Sequence, residues 1–273
     1  FLTDVNVVTI IASLGLKTKV VVSERSYPPK LPTPLVWKVL RRLTYRFASC
    51  VVAQTSLTKE WLDQNCKGST TTIIPNPVTI PLPIDCPIIN PCEILKPNRK
   101  LIISVGRLSV EKRHSKLLVA FSKIMNRFPE WDMVILGEGC KRDFLEKKIK
   151  SLALESRVYL PGRVGNLGDW YAISDLYALT SSFEGFPNTL LEAMAHGIAC
   201  VSVDCKTGPS ELIQNNVNGI LLPNMDVVNN LTEAFNELMG NSHKRAALSL
   251  IASQVKEKYH EAKIIKMWNE LFF

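Results

Sequence analysis

What this 273-residue chain lacks excludes several large classes of protein. No apolar run reaches the roughly 18 residues that a transmembrane helix needs. The sequence has no GxxxxGK(S/T) loop for P-loop phosphoryl transfer and no GxSxG nucleophile elbow. No Asp-x-Asp pair is available to hold a divalent metal against a diphosphate, and the four histidines are scattered. We therefore expect no metal site and no cofactor.

Disulfide and zinc patterns are missing as well. The seven cysteines are odd in number, and no two follow the CxxC spacing. Several lie inside apolar segments that have the character of strands. This usage is typical of reduced thiols in a cytosolic protein.

Charge is plentiful but unbalanced, with a formal net charge of +8 and a pI of about 9.1. Such a balance favours anionic partners, namely nucleic acid, an acidic membrane surface or a phosphorylated small molecule. We expect no nucleic acid, because there is no reader motif and no interleaving of aromatic and basic residues. A hydrophobic content of 46% with 21% charged residues predicts folded cores rather than disorder.

From residue 99 onward, apolar strands alternate with amphipathic helices. The predicted strands cover 101–106, 132–137, 158–162, 176–182 and 200–205, and the clearest helices cover 115–128 and 140–154. Continuous apolar strands between amphipathic helices are typical of a parallel sheet covered on both faces. The pattern predicts an α/β fold, with a doubly wound, Rossmann-like domain over 99–255.

Residues 1–77 repeat this alternation more weakly. Predicted strands cover 5–12, 19–23, 50–54 and 70–74, and a helix covers 34–48. This amounts to about half of a second Rossmann-like domain, so we expect the rest of it upstream of Phe1. The prolines of segment 78–98 predict an interdomain linker. Residues 256–273 predict a closing amphipathic helix that packs back toward the N-terminal domain.

The helix over 34–48 mixes apolar residues with Lys38, Arg41, Arg42 and Arg46. One interpretation places it against an anionic membrane. The other is an ordinary core-facing helix with a solvated basic face, and we favour this second interpretation.

The most informative segment is the run 182–195, in which a strand leads through a turn into a helix. Such a junction presents backbone N–H groups and a positive dipole end, which suit a phosphate. Glu184 lies in the turn. Glu192 lies in the helix, where Thr189 as N-cap and Glu192 at the third helical position fit a capping box. The backbone N–H groups can donate hydrogen bonds to a phosphate, and the two carboxylates can accept hydrogen bonds from hydroxyl groups. Together they suggest a site for a sugar nucleotide.

Each glutamate also has a simpler explanation. Glu192 can serve as a cap alone or as a cap and a hydroxyl ligand, and Glu184 can be a surface residue. A glycosidase pair is disfavoured, because eight helical residues span about 12 Å. Retaining glycosidases need carboxyl groups about 5 Å apart.

Two further motifs follow predicted strands. In the segment 106–112, Arg107 and Lys112 can clamp a diphosphate and neutralise charge that builds up on a leaving group. A solvated basic loop is the alternative. Gly137 follows the second strand of this domain, and a tight turn is enough to explain the glycine there. Arg163 and Val164 follow the next strand, in a similar turn whose backbone could also face a nucleobase.

Three elements in this order carry a family resemblance: GRLSVEK at 106–112, LGEG at 136–139 and SFEGFPNTLLEAMAHG at 182–197. The chain resembles the retaining, GT-B-fold glycosyltransferases of family 4 over nearly its whole length, including IIPNPV at 73–78. SERSYPP at 23–29 and YRFASCVVAQT at 45–55 resemble the subgroup that builds bacterial capsule, O-antigen or exopolysaccharide. The resemblance implies a GT-B architecture of two Rossmann-like domains, of which the N-terminal one is incomplete here.

The resemblance also implies roles for individual residues. Glu184, Arg107 and Lys112 would be catalytic, with the two cations on the donor diphosphate and Glu184 on the donor sugar. Glu192 would bind the ribose. The remaining donor-binding positions would be Gly185, Phe186, Pro187, Asn188, Thr189, Gly137, Arg163 and Val164. The family's first glycine-rich loop and its N-domain histidine are not found, although Arg25 ends a strand where such contacts lie.

The implied function is transfer of a hexose or N-acetylhexosamine from a UDP-sugar to a lipid-diphosphate-linked saccharide, with retention of configuration and without metal. We expect a cytoplasmic location, peripheral on the cytoplasmic face of the inner membrane. A GT-B-fold sugar-nucleotide epimerase and a non-catalytic nucleotide-sugar-binding fragment are the alternatives. A chain that starts at Phe1 can be inactive while its intact parent is active.

Overall fold

The computed structural model describes residues 3–272. Phe1 and Phe273, which end the predicted first domain and the predicted closing helix, lie outside this range. The helices are α1 Thr3–Ala12, α2 Leu35–Thr44, α3 Ser56–Asn65, α4 Pro91–Ile94, α5 His114–Ile124, α6 Arg142–Ser151, α7 Leu167–Ala172, α8 Asn188–Ala195, α9 Pro209–Leu212, α10 Val227–Gly240, α11 Ser242–Ala252, α12 Val255–Lys258 and α13 Glu261–Phe272. The strands are β1 Val21–Glu24, β2 Cys50–Ala53, β3 Thr71–Ile73, β4 Lys100–Val105, β5 Trp131–Leu136, β6 Val158–Gly162, β7 Leu176–Leu179, β8 Ala199–Val203 and β9 Ile220–Leu222.

The chain divides into two compact units. Among the described residues, the first unit comprises 3–77, 184–186 and 259–272, and the second comprises 78–183 and 187–258. In the first unit, β1, β2 and β3 form a parallel sheet in that order, with Val21 opposite Cys50 and Val51 opposite Thr71. Ile264 of α13 is buried with Cys50, Val52 and Ile74, so the closing helix belongs to the core of this unit.

The strand predicted over 5–12 is wrong, because this segment forms α1. Its buried residues are Thr3, Asn6, Val7 and Ile10, which recur at intervals of three and one, the spacing of one helix face. Valine and isoleucine favour strands, and this local preference misled the prediction. Asn6 Nδ2 donates to the Ser23 carbonyl at 3.0 Å and to Tyr45 Oη at 3.1 Å, which ties α1 to the sheet.

The helix predicted over 34–48 is confirmed as α2 followed by a 3-10 turn, Tyr45–Phe47. The expectation that it turns its apolar face to the core holds in part: Trp37 and Leu40 pack against the core of the first unit, and Lys38 and Arg42 are exposed. Arg41 is buried, as is Thr44, and Arg41 Nη1 lies 3.7 Å from the carboxylate of Glu24, which the expectation of a solvated basic face did not foresee. The exposed side chains include Leu35, Val36, Val39 and Leu43. No helix within residues 3–272 has the length and hydropathy to cross a membrane.

The second unit has a six-stranded, all-parallel sheet with the order β6-β5-β4-β7-β8-β9. Its strands are almost wholly buried; every residue of β5, β7 and β8 is covered. Helices pack on both faces: α5 and α10 meet over one face, while α8 follows β7. The predicted doubly wound α/β fold is therefore confirmed for this unit.

The proline-rich segment predicted as a linker belongs to the second unit and packs on the turn after β6. The Asp85 amide donates to the Gly165 carbonyl at 3.0 Å, and the Gly165 amide donates to the Pro87 carbonyl at 2.6 Å. A Cβ at Gly165 would lie 1.7 Å from the Asp85 carbonyl oxygen, so only glycine allows this approach. The prolines set an irregular path that is nevertheless fixed by hydrogen bonds.

Candidate donor-binding site

The strand order of the second unit places two loops at a topological switch point. β4 lies between β5 and β7, and the chain runs outward from it in both directions. In open parallel sheets, ligands bind outside the carboxyl ends of the strands at such a point. The segment 106–112 follows β4, and the segment from Thr180 follows β7, so both predicted motifs begin there.

The loop after β4 is held to the end of β7 by three hydrogen bonds. Thr180 Oγ1 donates to the Lys112 carbonyl at 2.6 Å. The Ser182 amide and hydroxyl both donate to the Glu111 carbonyl, at 2.7 and 3.1 Å. The Lys112 side chain lies along Gly106, because a Cβ there would be 3.5 Å from its Cδ and Cε. The switch point thus presents a lysine whose backbone is hydrogen-bonded to the segment that follows β7.

Glu111 is the acidic group of this basic loop. Burial alone would raise the pKa of its carboxyl group, but the hydrogen bond from Ser109 Oγ, at 2.6 Å, acts in the opposite direction. The charges of Arg107 and Lys112 add to this, and the pKa of Glu111 lies below its usual value. Glu111 is therefore ionised at neutral pH and partly offsets the two cations.

The loops after β4 and β5 approach each other so closely that glycine is required. Gly137 has φ +135°, and a Cβ on it would lie 2.1 Å from the Gly106 carbonyl oxygen. A Cβ on Gly139 would lie 2.4 Å from the Leu108 carbonyl oxygen. The Leu108 amide donates to the Glu138 carbonyl at 2.9 Å. These contacts explain the LGEG motif through backbone packing.

Glu192 is held by Tyr171, a residue that the sequence did not single out. Tyr171 Oη donates to Glu192 Oε2 at 3.2 Å and to the Thr189 carbonyl at 3.1 Å. Burial raises the pKa of Glu192, and the Tyr171 hydrogen bond lowers it, so the net shift is upward. His196 lies against the same tyrosine, with ring centroids 5.0 Å apart, and its Nδ1 is 2.7 Å from the Glu192 carbonyl oxygen.

The capping box predicted for Thr189 and Glu192 is wrong. α8 begins at Asn188 after Pro187, so Thr189 is its second residue and Glu192 its fifth. Thr189 Oγ1 instead lies 2.7 Å from Tyr177 Oη and donates to the Val105 carbonyl at 3.3 Å. This pairing ties the start of α8 to the carboxyl end of β4. Glu192 therefore does not cap α8.

If Glu192 binds the ribose of a sugar-nucleotide donor, as the family resemblance implies, Tyr171→Phe is expected to raise KM for that donor about tenfold while leaving kcat within about twofold. The change removes the hydrogen bond to the Glu192 carboxylate together with the one to the Thr189 carbonyl, and a hydrogen bond to a charged group is worth about 1.5–3 kcal/mol. The ring remains to fill its buried site. Steady-state kinetics of the intact protein against donor concentration would measure the effect. Tyr159→Phe, which removes a phenol bonded to the Ser156 carbonyl, is the matched control. An unchanged KM would contradict a positioning role for Tyr171.

Glu184, Gly185 and Phe186 belong to the first unit, together with the SERS segment. A Cβ on Gly185 would lie 2.2 Å from the Arg25 carbonyl oxygen. Phe186 is buried and packs against Tyr259 with ring centroids 5.7 Å apart. The peptide that carries the half-buried Glu184 is therefore fixed at both of the following residues, which limits where its carboxylate can lie.

Arg163 and Val164, predicted to border a nucleobase, follow β6 at the same edge of the sheet. Arg163 is largely exposed and lies 3.5 Å from the carboxylate of Asp85. An exposed pair of this kind contributes little to stability. Among residues 3–272, no three His, Cys, Asp or Glu side chains cluster as a metal site would require.

Solved glycosyltransferase structures share this architecture. HepE from Anabaena, in complex with UDP, superposes with a TM-score of 0.85 at 24% identity, covering 98% of this chain and 76% of HepE. TarM from S. aureus, in a complex that includes UDP, gives a TM-score of 0.80 at 21% identity, covering 95% of this chain and 52% of TarM. The fold is thus the α/β GT-B class with Rossmann-like parts.

The family follows from the sequence comparison. The model described as "Glycosyl transferases group 1" matches residues 91–255, more than half of the chain. The chain belongs to this family.

Curated relatives are bacterial and archaeal. An N-acetylgalactosaminyltransferase of Campylobacter jejuni, whose name specifies an undecaprenol-PP-linked acceptor, is 27% identical over 95% of this chain and 72% of its own length. A second Campylobacter jejuni N-acetylgalactosaminyltransferase is 33% identical over 61% of this chain and 45% of its own length. The chain spans less than half the length of several other relatives, including a glycosyltransferase of Methanocaldococcus jannaschii at 44%.

Proposed function

We propose that the intact protein is a hexosyltransferase that moves a hexose or N-acetylhexosamine from a UDP-sugar to a lipid-diphosphate-linked saccharide in bacterial surface polysaccharide synthesis. The observation that carries the proposal is the switch point. There, the loop with Arg107 and Lys112 is bonded to the end of β7, from which the chain continues to Glu184 and Glu192. Membership of the group 1 glycosyl transferases supports the reaction class.

Each part of the donor has a group suited to it. Arg107 and Lys112 supply fixed positive charge for the diphosphate. Glu192, oriented by Tyr171, supplies a carboxylate for the ribose hydroxyls. The first turn of α8, which begins at Asn188, supplies backbone N–H groups for the diphosphate. The N-cap residue of this helix, Pro187, makes no side-chain capping hydrogen bond to them. Glu184 is assigned to the hydroxyls of the transferred sugar.

The proposed chemistry retains the anomeric configuration and needs no metal. The bond between the anomeric carbon and the donor phosphate oxygen breaks, and the acceptor oxygen bonds to the same face of that carbon. The acceptor proton passes to the departing phosphate. Lys112 and Arg107 stabilise the charge that develops on the diphosphate, which is the role a metal would otherwise have.

The choice of UDP and of a lipid-linked acceptor rests on relatives. HepE and TarM were solved with UDP bound. The Campylobacter jejuni relative is named for a PP-undecaprenol-linked saccharide. Both features are properties of those proteins, and we transfer them here as the proposal.

Transfer by the intact protein against a panel of UDP-sugars, with a polyprenyl-diphosphate saccharide as acceptor, tests the proposal. The expected result is release of UDP only when donor and acceptor are both present. Interconversion of the nucleotide sugar without an acceptor would instead identify an epimerase. Tight donor binding without turnover would identify a non-catalytic binding protein.

We also propose that the protein acts peripherally at the cytoplasmic face of the inner membrane. The support is α2, which exposes Leu35, Val36, Val39 and Leu43 beside Lys38 and Arg42. Such a face suits the interface of an anionic bilayer. The protein should sediment with phosphatidylglycerol vesicles and not with phosphatidylcholine vesicles. Lys38→Glu with Arg42→Glu should abolish sedimentation, whereas Lys147→Glu with Lys150→Glu on α6 should not.

A further inference from the structure

The second unit contains a half-open cavity of about 460 Å³ between the start of α5 and the first turn of α6. None of the residues assigned above to the donor lines it. Its lining residues are Ser109, Val110, Arg113, His114, Ser115, Lys116, Lys141, Phe144, Leu145 and Ser182. Three of these residues, Arg113, Lys116 and Lys141, are cationic. Val110, Phe144 and Leu145 form an apolar wall of the cavity, and the ring of Phe144 lies 5.7 Å from Lys141 Nζ.

The start of α5 is unusual for a helix. Its N-cap, Arg113, has φ +53° and gives no side-chain cap, and the first turn has no acidic residue. Helix N-termini ordinarily carry Ser, Thr, Asp or Asn caps and acidic side chains, because the dipole is positive there. Here Arg113 and Lys116 add positive charge to a positive dipole end. An anion in the cavity would relieve both unfavourable features.

His114 gives a second, independent indication of a ligand. Its side chain is 3% exposed, and its Nδ1 is buried without a hydrogen-bond partner among the described residues. Burial, together with the charge of Lys112, lowers the pKa of His114 to about 4, although Glu111 acts in the opposite direction. The ring is therefore neutral near pH 7, and one of its two nitrogens carries a proton that it can donate. A buried polar atom without a partner is costly unless something fills the place.

We propose that this cavity is a second anion site, distinct from the donor diphosphate site, which binds a phosphate or diphosphate group through Lys116, Lys141, the His114 ring and the first amides of α5. Arg113 contributes charge at the rim, where its Nη1 donates to Asn224 Oδ1 at 2.6 Å. The phosphate group can belong to a free anion or to a prenyl diphosphate, since Phe144 and Val110 form an apolar wall beside the cations.

The test is calorimetric titration of the chain with inorganic pyrophosphate in the presence of saturating UDP. UDP fills the donor site, so binding that persists belongs elsewhere. We expect one pyrophosphate per chain and at least a tenfold loss of affinity in Lys116→Gln with Lys141→Gln. Lys147→Gln with Lys150→Gln, which removes equal charge from the exposed face of α6, should bind as the parent does.

Two further readouts locate the ligand and its source. The imidazole ¹⁵N resonances of His114 should shift on pyrophosphate addition, and those of His243, an exposed histidine of α11, should not. Geranyl diphosphate should bind more tightly than pyrophosphate if a prenyl diphosphate is the natural ligand, and equally if it is a free anion.

The outcomes separate this site from the donor site. No pyrophosphate binding with UDP bound, or equal losses in the cavity and control variants, would refute the second site. Neither result bears on UDP affinity or on sugar transfer, which are measured independently. Loss of transfer with pyrophosphate binding intact would count against the proposed function alone.

Discussion

Lys112→Ala is expected to reduce kcat for sugar transfer by 10²–10³-fold, the range found when one preorganised group that stabilises transition-state charge is removed. The physical reason is that, in the proposed mechanism, Lys112 stabilises the charge that builds up on the departing diphosphate. Its carbonyl accepts a hydrogen bond from Thr180 Oγ1, and its side chain lies along Gly106, so the position of the lysine is fixed by the fold. KM for the donor should also rise, because the ground-state diphosphate is already charged.

The measurement is initial-rate UDP release by the intact protein, with circular dichroism to verify folding. Lys147→Ala, an exposed lysine on α6, is the matched control and should retain parental activity. A Lys112→Ala variant that turns over within threefold of the parent would remove Lys112 from the proposed mechanism. Lys112→Arg should recover part of the rate, since charge is kept while geometry changes.

Glu184→Ala should lower kcat by about 10² or more with a small change in affinity for UDP. Glu184 is assigned to the sugar rather than to the nucleotide, so UDP itself loses no contact. The following residues, Gly185 against Arg25 and Phe186 against Tyr259, hold the peptide in place whatever side chain precedes them. The variant should therefore fold normally and fail in transfer.

Comparing UDP with a UDP-sugar by calorimetry distinguishes this role from a structural one. The loss should appear for the UDP-sugar only. Glu155→Ala, at an exposed position in the second unit, is the control for charge and should behave as the parent. Weakened binding of UDP by Glu184→Ala would place the carboxylate on the nucleotide instead, in contradiction to the assignment.

The strands of the second unit and the position of its two loops could be predicted from the sequence. Buried parallel strands are mostly apolar, and β5, β7 and β8 have this composition apart from Asp132 and Ser202. The two motifs also fall directly after β4 and β7. That they meet at a switch point required the strand order, which local patterns do not contain.

The wrong and missed predictions concern residues whose conformation or partner is determined by tertiary contacts rather than by the local sequence. α1 has the β-branched residues of a strand, yet its buried side chains follow a helical interval. Thr189 has the local signature of a cap, but the hydroxyl group of Tyr177 and the Val105 carbonyl compete for its side chain. Tyr171 was missed because its partner, Glu192, lies 21 residues away and nothing local marks the pair.

The close approach of Gly137 to the Gly106 carbonyl limits which positions can be varied to alter the proposed donor preference. A library that randomises the loop after β5 would lose every variant at Gly137, since any side chain would collide with backbone. The side chain of Arg163 is largely exposed and meets no such restriction. Directed evolution toward another nucleotide should therefore diversify Arg163 and leave Gly137 and Gly165 fixed.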